Sequence, residues 1–261
     1  MLPVARYETE RRLLGTLAIA VGLSAFAGLF LAIGPSILEE VDFTEFVDAY
    51  PESLQNAFGL DGLGSLAGFL AAELYQFGFV ILLGLYFAYL GGGVVAGDIE
   101  TDRLDMLLST PISRPRLLLE KFAGLVPSML IVNAIVGTVV YVGALLVGEP
   151  IPLVDILLVH LLSLPYLLVT AAVGLLFSVA FSRSSTAQRG AIAVVFGLFM
   201  LETVVTDTDF GALGALSPSR YYDPTAVLVD SSYDLLGAFV LCEAAALLVV
   251  LALLRFQERD I

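Results

Sequence analysis

The chain has 261 residues, 59% of them hydrophobic and only 15% charged, with a mean hydropathy of +0.95; a soluble domain is about half apolar and a quarter charged, so the composition argues against a soluble fold. A net charge of −14, from 26 acidic and 12 basic residues, is unusual for a membrane protein unless the acids gather in loops. One cysteine, Cys242, excludes an internal disulfide and a thiolate metal cluster, and the only lysine, Lys121, follows Glu120, so there is no Gly-Lys-Ser/Thr and no P-loop.

A helix that crosses a bilayer needs about 20 mainly apolar residues. Charge-free runs of that length cover residues 13–33, 77–97, 122–147 and 156–181. Two further runs complete a set of six: 190–206, with Glu202 near its far end, and 235–254, with Glu243 near its middle. The first run is too long for a signal-peptide core and reads as a retained helix. The expected fold is an all-α polytopic membrane protein, a single transmembrane domain over residues 1–261, with a cytoplasmic loop at 98–121 and an outer connection at 34–76.

In that outer connection Ile37, Leu38, Val41, Phe46, Val47 and Tyr50 fall near a helical period before Pro51, which predicts an amphipathic helix at the outer interface. Ser65 to Phe77 is apolar and runs into the second span, as a re-entrant piece would. Basic residues set the orientation, because Lys and Arg in short loops stay on the cytoplasmic side. Eleven of the 12 fall on the side of the termini and Arg220 alone on the other, so both termini are expected in the cytoplasm of a cell-membrane protein. Acidic residues crowd the outer connections, from Glu39 to Glu73 and from Asp207 to Asp234, but the inner side is acidic too. A halophile's carboxylate-rich surface accounts for that better than a specific outer funnel for cations.

The cytoplasmic loop carries the most information. Leu104, Leu107 and Leu108 share one helical face and Asp98, Asp102 and Asp105 another, which predicts a short amphipathic helix ended by Pro111. Ser113 is placed to cap a second helix with Pro115 in its first turn, running through Lys121 into the third span. The result is a helix-break-helix elbow. Gly93 and Gly97 form a G-x-x-x-G that admits a neighbouring helix, and Pro127 and Pro165 fall inside the third and fourth spans, where they should kink them.

Three polar residues lie within spans. Glu243, near a helix centre, is either a path-lining acid or a packing carboxyl at a helix or dimer interface. Glu202 belongs at the outer interface. His160, with no second His or Cys nearby, reads as a hydrogen-bonded structural residue and not as a metal ligand.

The stretch Glu100, Leu107, Leu108, Pro111, Ile112, Ser113, Arg114, Lys121 resembles the loop of the ABC-2 type permease subunits, six-span partners of ABC ATPases. The start A5-R-Y-E-T-E-R-R12 is similar to that family's entry helix, and F256-Q-E-R-D-I261 to its tail. Asp102 and Arg103 depart from it, standing where Gly-Thr is frequent. The resemblance implies an exporter subunit that binds no cofactor itself, with ATP and Mg held by a separate ATPase. It also implies a second permease copy or paralogue, and no nucleic acid. It makes Glu100 to Arg114 the ATPase-coupling surface, with Leu104, Leu107 and Leu108 in a groove of the ATPase and Asp102, Arg103, Asp105 and Arg114 selecting the partner by charge. The alternatives are a self-contained secondary transporter, for which no internal repeat is evident, and a membrane hydrolase, for which H-E-x-x-H and G-x-S-x-G are both missing.

Overall fold

The computed structural model describes residues 3–41, 43, 47, 49–109, 112–206 and 208–259, without the side chains of Glu52, Asn56, Asp61, Asp105 and Leu108. It is 83% helix, with no strand among the described residues. Helix α1 (Pro3–Glu40) has 38 residues and is about 57 Å long, far more than the roughly 30 Å of hydrocarbon it has to cross. Its first turns therefore project beyond the span. At the other end it passes through Pro35 and takes in Ile37 and Leu38, which the sequence assigns to a separate interfacial helix. Proline's fixed φ is compatible with a helix, so the helix continues through it without the bond to the Leu31 carbonyl. Asp42, Glu45 and Phe46 of the expected interfacial helix lie outside the described residues.

After α2 (Glu52–Phe58), α3 (Leu66–Gly93) starts at Ser65, whose hydroxyl accepts the Gly68 N–H at 3.1 Å. The piece from Ser65 to Phe77 is thus the first half of the second span and not a re-entrant loop. Between Ala71 and Leu83 the turns of α3 widen to the π type, which loosens the ladder of carbonyl acceptors. The buried Tyr166 hydroxyl donates to one of them, Val80 O, at 2.8 Å. It fits because Gly84 has no Cβ, which would stand 2.7 Å from that hydroxyl.

The elbow follows as α4 (Ala96–Glu100), α5 (Arg103–Leu108) and α6 (Arg114–Ala123). A turn at Gly124 and Leu125 separates α6 from α7 (Val126–Leu146). Pro127 lies in the first turn of α7, where its missing N–H costs nothing, so the third span is broken before the proline instead of kinked at it. Then come α8 (Leu153–Ala180), with Pro165 inside it, and α9 (Ser184–Val205). Two 3-10 turns, Gly211–Leu216 and Pro218–Tyr221, lead to α10 (Pro224–Leu228) and α11 (Leu235–Gln257).

Among the described residues, six helices are long and apolar enough to cross a membrane: α1, α3, α6 with α7, α8, α9 and α11. The even number brings both ends of the chain to one end of the bundle, and all the basic residues but Arg220 lie there. The core forms around α3 and α8, whose most apolar windows are 72% and 67% buried, against 22–33% for the other four. These two backbones nearly touch: a Cβ on Gly91 would lie 2.2 Å from Ala171 O, and one on Gly174 2.2 Å from Ala88 O. A Cβ on Gly92 would lie 2.8 Å from Gln188 Cα of α9. The close backbone approach is therefore made by Gly91, Gly92 and Gly174, whereas in the expected G-x-x-x-G a Cβ on Gly93 would meet the Gln188 side chain of α9, Nε2 at 2.8 Å, and one on Gly97 only Ser184 Oγ at 3.8 Å.

One polar network ties three spans together. His160 Nε2 is 3.0 Å from the Tyr75 hydroxyl, its Nδ1 is 2.8 Å from Asn133 Oδ1, and Asn133 Nδ2 donates to Met129 O at 2.9 Å. Both ring nitrogens are used within the protein, as expected for a neutral structural histidine in a setting where an unpaired polar group is costly. Tyr222, between α9 and α10, donates to Val159 O at 2.9 Å, and burial pushes its phenol well above the usual value, keeping it a neutral donor.

Candidate functional site

The elbow is held by charged groups that the hydropathy pattern hides. Lys121, in the last turn of α6, is 1% exposed. Its Nζ lies 2.5 Å from Glu8 Oε1 and also contacts Asp98. Arg12 Nη2 reaches the other Glu8 oxygen at 3.0 Å. Next to Lys121, Glu120 accepts the Val4 N–H at 3.0 Å and the Arg116 Nε–H at 2.8 Å. The projecting turns of α1, the short α4 and the second arm of the elbow thus meet at one buried cluster. Removing charges from water is expensive, and here each lies against an opposite charge.

The remaining ends of the elbow are pinned by helix-terminal groups. Ser178 of α8 accepts the N–H groups of Val95 and Ala96 at 2.8 and 2.9 Å, caring for the free donors at the start of α4. Glu100 Oε2 accepts the Ser184 N–H at 3.0 Å, placing an anion at the N-terminus of α9. Arg259 donates to the carbonyls of Val179 and Phe181 at 2.6 and 3.2 Å, at the C-terminal end of α8. Its own carbonyl accepts from Arg114 Nη1 at 2.8 Å. The tail therefore links the start of α6 to the end of the fourth span.

The expected coupling residues separate into three groups. Glu100, Asp102, Arg103 and Ser113 are exposed and Arg114 is half-buried; Met106, which the sequence reading does not single out, is 67% accessible beside them. Leu104 is buried in the protein's own core and Leu107 is half-buried against it, so Leu104 is not part of a free apolar face. The side chains of Asp105 and Leu108, and Pro111 as a whole, lie outside the described residues. Nor is 98–108 one amphipathic helix: Asp98 is buried against Lys121, and the chain breaks at Asp102, which has a φ of 54°. Ser113 stands at the N-cap with extended backbone and Pro115 follows in the first turn, although the Ser113 hydroxyl makes no cap bond.

The left-handed φ accounts for the glycine that the resembling loops carry there, since Asp tolerates this conformation and a β-branched residue does not. Asp102→Gly is expected to leave thermal stability unchanged or slightly raised. Asp102→Val is expected to cost about 1–2 kcal/mol, read as a lower unfolding midpoint of the purified chain.

Between the exposed part of the elbow and α1 lies a cleft of about 460 Å³. Tyr7, Arg11, Arg103 and Met106 line it, and the Lys121 cluster forms part of its wall. Sequence reading places Glu8 and Asp98 on an acidic surface and misses their partnership. The available signal is Lys121 itself: a lone lysine at the mouth of an apolar span needs carboxylates from elsewhere in the fold.

Outside the elbow, Glu243 is exposed on α11, while Leu241, Ala245 and Ala252 of that helix are buried. Within one chain it is not a packing carboxyl. Glu202 lies at the opposite end of the bundle from the elbow and accepts a hydrogen bond from Ser219.

No curated protein matches the chain. The family model described as ABC-2 family transporter protein matches residues 36–261, which include the whole elbow and the second to sixth spans. With six helices of spanning length the chain is a multi-pass membrane protein, and it belongs to the ABC-2 family of transporter proteins.

Proposed function

We propose that the chain is the permease subunit of an ABC exporter in the cell membrane, with both termini in the cytoplasm. ATP and Mg belong to a separate ATPase subunit, and two permeases, a pair of copies or a copy with a paralogue, enclose the path. The division of labour is supported by the chemistry of this chain: its only lysine is buried between Glu8 and Asp98, and it has no Gly-Lys-Ser/Thr to cradle phosphates. Orientation rests on the basic residues gathered at the end with the termini. The carboxylate-rich surface is read as an adaptation to high salt.

The observation that carries the reading is the anchoring of the elbow to α1, α8 and α9. A push on the exposed residues Asp102, Arg103 and Met106 passes through Lys121, Glu100 and Arg114 into three spans instead of being absorbed by a loose loop. The docking surface is accordingly Asp102, Arg103 and Met106 with the adjoining cleft, and Glu100, Leu104 and Arg114 hold that surface in place.

Pull-down of the full-length chain from native membranes is expected to recover an ATPase that carries a Walker A motif. Met106→Asp combined with Arg103→Glu is expected to lower that recovery about tenfold or more, as truncation of central interface anchors does, without loss of membrane-inserted protein. Undiminished recovery with the double variant overturns the docking surface. Transport by the lone chain in vesicles, with no ATPase recovered, would instead favour a self-contained carrier.

A further inference from the structure

At the end of the bundle opposite the elbow, a cavity of about 130 Å³ opens between α2, α3, α9 and the connection that follows α9. That is room for a few water molecules. Its polar lining includes Gln76, Glu202, Thr206, Ser219, Arg220 and Asp223. Neither the elbow nor the proposed coupling uses any of them.

The donors around this cavity are already engaged. Gln76 Nε2 donates to Ala57 O at 2.6 Å, which leaves its Oε1 as an acceptor. Thr206 Oγ1 donates to Glu202 O at 2.7 Å, and Ser219 Oγ donates to the Glu202 carboxylate. Arg220 Nη1 donates to Gly211 O at 2.7 Å, and among the described residues no basic group lies within ion-pair distance of Glu202. Asp223 Oδ1 caps α10 through the N–H groups of Thr225 and Ala226, so its other oxygen adds a further acceptor. What remains is a small, partly enclosed space rich in acceptors, whose lining sets two carboxylates, Glu202 and Asp223, against one guanidinium, Arg220, which is turned to the Gly211 carbonyl. Among the described residues no group of three His, Cys, Asp or Glu is placed to hold a metal ion, so the geometry does not favour a divalent cation.

We infer that this cavity binds a primary ammonium group, its three N–H donors shared among Glu202, Gln76 and the hydroxyls, in a compound whose buried part is no larger than an aminoethyl group. A free amine and the head group of an aminophospholipid offer the same chemistry. A bulky quaternary ammonium lacks N–H donors and exceeds the space.

The test is thermal unfolding of the full-length chain in detergent, with ethanolamine, tetramethylammonium or sodium chloride at matched ionic strength. Ethanolamine at saturation is expected to raise the midpoint by about 2–4 °C, with no comparable rise from the other two salts. Glu202→Gln should abolish the shift, and so should Ser53→Leu, which fills the cavity from α2 without touching the carboxylate. A midpoint raised equally by all three salts overturns the inference, as does a shift that survives in both variants. Dioctanoyl phosphatidylethanolamine separates the sources: a shift at lower concentration than ethanolamine requires identifies a lipid head group, and an equal requirement identifies the free amine. The coupling assay on Met106 and Arg103 is independent of this result, so either can fail alone.

Discussion

Replacing Lys121 with methionine is expected to cost about 3–5 kcal/mol and to reduce the yield of folded protein sharply. The substitution preserves most of the volume but leaves Glu8 and Asp98 facing each other without their shared cation, and both carboxylates are buried. Asp98 then has no cation and Glu8 keeps only Arg12; hydrating or protonating the carboxylates pulls the first turns of α1 away from the elbow. Adding Asp98→Asn to Lys121→Met, with Glu8 kept as the partner of Arg12, is expected to recover most of the loss, because a neutral polar group tolerates burial far better than a lone charge. The comparison is made on purified full-length chain, from the unfolding midpoint and the fraction that elutes as a single species. If Lys121→Met melts at the wild-type temperature, the cluster has no part in holding α1 to the elbow.

Gly174→Ala is expected to cost roughly 3 kcal/mol, at the upper end of overpacking by a single methyl group. The new Cβ would stand 2.2 Å from Ala88 O and 2.7 Å from Gly92 N, and backbone atoms in two packed helices cannot swing aside as a flexible side chain can. α3 and α8 would have to separate, and with them the contacts that enclose the core. Gly197→Ala is the matched control: nothing lies within 4 Å of its Cβ, and alanine has the better helix propensity. Equal unfolding midpoints for the two variants would contradict the close approach of α3 and α8.

The elements legible in the sequence are those that depend on one-dimensional properties. Hydrocarbon thickness translates directly into a run of about 20 apolar residues, so the six spans are found by counting, and charge asymmetry confirms their parity. The limits of the spans are less legible. α1 continues past Pro35, and α3 starts at Ser65 where the sequence suggests a re-entrant piece, because packing against neighbours sustains helix where local signals would end it. The start of the elbow's second arm at Ser113 and Pro115 is readable from the sequence, but the break at Asp102 is not, because an aspartate does not announce a left-handed φ as a glycine does.

The candidate site divides the same way. Length, apolar spacing and the basic residues settle from the sequence alone that this is a six-helix membrane protein with an elbow between its second and third spans. Tertiary structure alone decides which elbow residues are free. It buries Leu104 and Asp98 and exposes Met106, and it turns Glu100 and Arg259 into anchors for the ends of α9 and α8. It also joins Glu8, Asp98 and Lys121, which stand up to 113 residues apart. Hydropathy is a sum over neighbours along the chain, whereas the pairing of buried charges depends on which helices lie side by side, and that is fixed only when the bundle closes.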